Sequence, residues 1–243
     1  MHAAWAPKPG AGGNWARSLT RIGEGDRFEF STGTIEEADD SAEADYPGGS
    51  MARISRLDHN EVTPQIAALY DKAFSARGNV PNMFRVMAHR PEIFATMQAH
   101  FAAVLNTGTV STKLKELIIV RTSQINVTPY CLASHTILAR NLGWNDDQLA
   151  HLEDWPQRED FTAAEKAALR LAETVTRDAH SLSDEQFSEL SGFYSEGEIV
   201  ELLCAIGLFN YFNRFNNALQ MEPTRPGEGG CPRSSAEATA AKA

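Results

Sequence analysis

Glu116, Cys131 and His135 are spaced as Glu116-x14-Cys131-x3-His135 and carry the side chains best suited to proton transfer in this chain. A helix places residues i and i+4 on one face, so Cys131 and His135 are neighbours wherever this segment is helical. Thr128-Pro129 just ahead reads as a helix start, an N-cap followed by proline at the first helical position. Cys131 would then sit in the first turn, where unpaired amides and the macrodipole favour a thiolate. His135 is the strongest candidate, because imidazole donates and accepts protons near neutrality. Glu116 precedes an apolar run, where a carboxylate needs a partner: His135 as a proton relay, or Arg121 or Arg140 as a salt bridge. Cys131 is either a low-pKa nucleophile or a passive wall of the pocket. The three could also ligate a metal, but no fourth ligand is in view, and we assign no metal site.

The elements that must position these groups are helical. Thr112 to Asn126 reads as one helix whose Leu117-Ile118-Ile119-Val120 run is apolar on every side. We expect it to be covered by the core on one side and by a neighbouring subunit on the other. A turn at Asn126-Val127 reverses the chain into a helix over Pro129–Leu142, making an antiparallel hairpin. Glu116 then lies level with about residue 139, within a turn of His135. Thr63-Pro64 opens an earlier helix that Gly78 and Pro81 stop, and Pro91 opens another that ends by Gly108. Four further starts pair a cap with an acid or amide three residues on: Asn145…Gln148, Thr162…Glu165, Ser183…Gln186 and Ser195…Glu198. No alternating strand is apparent. The fold class is all-α, with about eight or nine helices.

Other residues are placed near the hairpin by the same reading. Tyr130 either offers its hydroxyl to the pocket or packs in a buried turn. Asn210, Asn213 and Asn217 recur at i, i+3 and i+7 on the last long helix. They either line a polar pocket wall or hydrogen-bond between helices; Asn213 and Asn217 are the substrate-binding candidates. Arg121 and Arg140 are the cations nearest the site, should the substrate carry a carboxylate. Lys115-Glu116-Leu117-Ile118 is echoed by Val200-Glu201-Leu202-Leu203, a faint sign of a repeat.

The chain has 243 residues and a formal charge of −10, which with its lack of basic clusters argues against a nucleic-acid partner. Three widely spaced cysteines fit a reducing cytoplasm better than a disulfide scaffold. The longest apolar stretch, Ile199 to Phe212, is interrupted by Glu201 and Asn210 and is too short to span a membrane. The first fifty residues carry nine acidic side chains against four basic ones and are rich in Gly, Pro and Ser. We read residues 1–50 as a disordered extension without a secretory signal, with Met51 as a second candidate start. The folded domain is expected over residues 51–222, and residues 223–243 as a disordered tail.

Lys113 to Arg121, then Asn126, Tyr130-Cys131, His135 and Ala139-Arg140, resemble the core of the carboxymuconolactone decarboxylase family, whose superfamily includes the AhpD-type alkylhydroperoxidases. Val80 to Phe84 and Ala88 to Glu92 resemble the segment that precedes that core. The resemblance implies an AhpD-like helical bundle, a homo-oligomer (a trimer or a multiple of it) and, on the decarboxylase branch, no cofactor. It also implies roles for a histidine and a glutamate at positions like His135 and Glu116. AhpD-type members carry Cys-x-x-Cys-x3-His, whereas this chain has Thr128 at the first cysteine position. One sulfur cannot close a disulfide, which moves weight from the peroxidase branch. The leading expectation is therefore proton transfer on a small carbonyl or lactone-like substrate. His135 would be the general acid/base, Glu116 its orienting partner, and Cys131 would line the site. The alternative is a one-cysteine peroxidase in which an external thiol resets Cys131. A third reading is a non-catalytic assembly or ligand-binding protein.

Overall fold

Ser111 begins the central helix: its hydroxyl accepts the Leu114 N–H at 3.2 Å, and α4 runs Thr112–Ile125. In this computed structural model, which describes residues 52–229, that helix is the axis of the bundle. Residues Leu114 to Ser123 are all buried, because α5 (Pro129–Asn141), α7 (Ala163–Asp178) and α9 (Glu196–Ala218) pack around them. Leu117, Ile118, Ile119 and Val120 are thus covered by the chain itself. The neighbouring subunit expected on one side is not needed to bury them.

The remaining α-helices are α1 (Pro64–Arg77), α2 (Asn82–Met87), α3 (Pro91–Asn106), α6 (Asp146–Ala150) and α8 (Asp184–Ser191). The described residues contain no strand and nine α-helices, in line with the all-α class and the expected eight or nine helices. Thr63 caps α1, and Gly78 ends it at φ +72°, a conformation that favours glycine. Each of the four expected cap pairs forms a reciprocal capping box at the start of α6, α7, α8 and α9. No helix among the described residues is long and apolar enough to cross a membrane.

The turn between α4 and α5 is under local strain. Val127 adopts φ +48°, unfavourable for a β-branched residue, with its side chain largely exposed. The turn is held from α9: Asn217 Nδ2 donates to the Asn126 and Val127 carbonyls at 2.8 and 3.3 Å. Asn126 Nδ2 in turn donates to Asn210 Oδ1 at 2.9 Å. Surroundings that over-determine a backbone can keep it strained in this way. Asn217, a substrate-binding candidate by its spacing, is therefore a staple for the hairpin.

Two features depart from the sequence reading. Helix α2 was not expected as a helix, yet all six of its residues are buried. The tail expected from residue 223 also begins inside the fold. The Val80 N–H donates to the Glu228 carbonyl at 2.8 Å, and the Gly227 N–H donates to the Gly78 carbonyl at 2.9 Å. Residues 1–51, including the extension and the alternative start, and residues 230–243, including Cys231, lie outside the described residues.

Candidate active site

His135 Nδ1 and Glu116 Oε2 are 2.7 Å apart, joining the two arms of the α4–α5 hairpin. Both residues are buried, at 7% and 3% relative exposure, so the bond is shielded from water. Glu116 meets His135 directly, rather than through a water or in a salt bridge to Arg121 or Arg140. The Phe209 ring of α9 packs against the imidazole, with centroids 4.7 Å apart and planes at 83°. Two contacts thus fix the histidine: the carboxylate sets one nitrogen, and the aromatic ring sets the plane. Among the described residues Nε2 has no hydrogen-bond partner. When Nδ1–H donates to Glu116, Nε2 is left to accept a proton, or to donate one when the ring is protonated.

Cys131 lies one turn earlier on α5 and is buried. Asn216 Nδ2 donates to its Sγ at 3.6 Å. Burial pushes the thiol up to about 12, and the Asn216 hydrogen bond, together with the nearby Ser123 side chain, offsets this only in part. Of the two readings open for Cys131, a low-pKa nucleophile or a passive wall of the pocket, this burial favours the second. The expected cap is also absent. The Thr128 side chain makes no capping bond, and its hydroxyl donates instead to the Asn126 carbonyl at 3.4 Å. Tyr130 joins packing to polarity: its hydroxyl accepts the Met83 N–H at 3.1 Å and lies 3.4 Å from Thr224 Oγ1. Burial raises its pKa, which keeps the phenol protonated.

The arginines are engaged elsewhere. Arg121 binds Glu173 of α7 through Nε at 2.6 Å, and Gln124 at 3.2 Å. Arg140 is half-exposed and pairs with Asp146 at 2.5 Å. Neither contacts Glu116 or His135, so the structure does not bring the two expected carboxylate-binding cations to the pair. Asn213 does reach this region: its Oδ1 accepts the Ser123 hydroxyl at 3.3 Å, while its buried Nδ2 has no partner among the described residues.

Asn216 and Ser123 escaped the sequence reading. Phe209, Phe212, Asn213 and Asn216 follow i, i+3, i+4, i+7, the stripe α9 turns toward the site, and this was the signal available for Asn216. Among the described residues no group of three His, Cys, Asp or Glu side chains is arranged to hold a metal ion.

The carboxymuconolactone decarboxylase family model matches residues 91–174, a span that holds Glu116, Cys131 and His135 but stops before α9. The uncharacterized protein YdfG of Bacillus subtilis is 30% identical over 113 residues, 46% of this chain and 77% of its own length. A peroxidase-related protein from Ralstonia eutropha JMP134 with an alkylhydroperoxidase AhpD core superposes with a TM-score of 0.66. It is 23% identical, over 76% of this chain and 100% of that one. The debrominase Bmp8, solved in complex with 2,3,4-tribromopyrrole, gives a TM-score of 0.63 at 22% identity, over 72% and 92% of the two chains. At these identities the solved structures establish the fold. This chain belongs to the carboxymuconolactone decarboxylase family, on the AhpD-like all-helical fold.

Proposed function

We propose that this protein is an acid–base enzyme that moves a proton on a small carbonyl or lactone-like substrate, in a decarboxylation or isomerisation. The observation that carries this reading is the 2.7 Å bond between Glu116 and His135 in a water-poor site. In this reading Glu116 orients the imidazole and stabilises the imidazolium formed when Nε2 takes a proton. In a decarboxylation, the bond to the carboxylate breaks, CO₂ leaves, and Nε2–H delivers a proton to the resulting carbanion or enolate carbon. No redox partner is required. Cys131 lines the site as a neutral thiol, and Tyr130 stays protonated and available as a hydrogen-bond donor.

The neutral thiol weighs against the peroxidase alternative, because peroxide is attacked by the thiolate. Thr128 in place of the first cysteine of Cys-x-x-Cys weighs in the same direction. We propose further that the chain self-associates through α5, where Ile137 and Leu138 are 53% and 37% exposed and Leu142 follows at 39%. A test of the function reading compares wild type, His135→Ala and Cys131→Ser on carboxymuconolactone, following substrate loss and CO₂ release. Activity lost with His135 and kept without the thiol supports the proposal; activity that follows the thiol overturns it.

A further inference from the structure

Glu228 sits in a site built for a carboxylate. Its Oε1 accepts from Arg56 Nη1 at 2.7 Å and from Arg85 Nη1 at 3.2 Å. Its Oε2 accepts from Asn82 Nδ2 at 3.3 Å and from the Arg225 N–H at 2.9 Å. Two other carboxylates are nearby, but Asp58 pairs with Arg85 and Glu222 with Arg56, so among the described residues Glu228 alone touches both guanidinium groups. Arg85 is buried, and its Nε has no hydrogen-bond partner among the described residues. A buried guanidinium with an unused donor is a strong recognition group for planar anions.

The segment that carries Glu228 reaches the candidate active site. Thr224 accepts the Asn82 N–H at 2.8 Å and contacts the Tyr130 hydroxyl at 3.4 Å, one residue before Cys131. Gly229 closes the far end so tightly that an added Cβ would lie 2.9 Å from Val80 Cβ and 3.0 Å from Arg85 Cδ, and its φ is +73°. The strap is thus tied by two carboxylates, Glu228 and Glu222, by two backbone bonds, by the Glu222 carbonyl and the Thr224 hydroxyl that accept from Asn82, and by one glycine-dependent close approach.

We propose that Arg56, Arg85 and Asn82 form a carboxylate-binding site that the chain fills with its own Glu228, latching residues 222–229 over the Tyr130 end of α5. A small free carboxylate competes with Glu228 for the two arginines. When it wins, Thr224 leaves Tyr130 and the route to Cys131 opens. This inference does not depend on the reaction proposed above, because its readouts are local opening rather than turnover.

The test measures the iodoacetamide alkylation rate of each cysteine by mass spectrometry at fixed pH, together with backbone amide exchange. Full-length wild type, Glu228→Gln and Gly229→Ala are compared. The first variant removes the latch charge, and the second displaces the strap sterically. Both should raise the Cys131 rate by about tenfold and speed exchange at Val80 and Gly227, while the α4 and α7 amides stay protected. In wild type, sodium acetate should speed the same sites relative to sodium chloride at equal ionic strength. An unchanged Cys131 rate in both variants, acceleration spread over the whole bundle, or acetate acting no differently from chloride would each overturn the proposal.

Discussion

Glu116 Oε2 lies 2.7 Å from His135 Nδ1, so one carboxylate and one imidazole bridge the two helices of the central hairpin. The pair is both structural and poised for chemistry, and the two roles separate by substitution. Removing Glu116 leaves the buried Nδ1–H of a neutral His135 without its acceptor, so Glu116→Ala should cost about 1–3 kcal/mol. Glu116→Gln keeps a hydrogen-bonding oxygen at the same reach and should cost clearly less. Urea denaturation of both variants checks this; equal, small losses would mean that the pair contributes little to the hairpin.

The pH behaviour of Cys131 follows from its burial. Its thiol is pushed from 9.0 up to about 12, so below pH 9 it is protonated in both the folded and the unfolded chain. Between those values the unfolded chain releases the proton and the folded one keeps it. The stabilisation from this thiol is therefore fully present below pH 9 and is lost as pH rises toward 12. Alkylation of Cys131 should climb roughly tenfold per pH unit from neutrality upward without levelling. A plateau near neutral pH would show a thiolate and contradict the neutral-thiol assignment.

Thr128→Cys restores the Cys-x-x-Cys spacing that this chain lacks. Because the Thr128 side chain makes no capping bond, the substitution should spare the cost of about 1 kcal/mol that goes with losing an N-cap. The variant should lose two hydrogens on mild oxidation, by intact mass, while wild type does not. The same loss in wild type would reveal a disulfide that one cysteine at this site cannot make.

Val127→Gly tests the strain in the hairpin turn. The side chain is 72% exposed at φ +48°, so its removal forfeits little packing and relieves an unfavourable left-handed conformation. The expected gain is about 1 kcal/mol, read as a higher thermal midpoint. A lower midpoint would mean that the turn is not strained.

Local rules made much of this fold legible before the structure. The capping boxes at Asn145, Thr162, Ser183 and Ser195 involve residues three apart, and the Glu116–His135 pairing needed only a short turn and helical period. What escaped depends on contacts far apart in the chain. Lys115 is buried, with Nζ bonded to the Thr107 carbonyl at 2.8 Å and to Glu201 at 3.0 Å, partners that no local pattern announces. Helix α2 is too short to show a period and is buried on every side, so no amphipathic pattern marks it. At Cys131 the first-turn position that favours a thiolate can be read from Thr128-Pro129, whereas the burial that raises the thiol's pKa comes from distant packing and cannot.

Whether His135 or Cys131 does the chemistry is settled most directly by turnover of two probes by three proteins. Wild type, His135→Ala and Cys131→Ser are each assayed on carboxymuconolactone, and on cumene hydroperoxide with dithiothreitol. The acid–base account predicts lactone turnover that falls at least about 10²-fold in His135→Ala and stays within about tenfold of wild type in Cys131→Ser. Sustained hydroperoxide turnover by wild type that Cys131→Ser abolishes would contradict it.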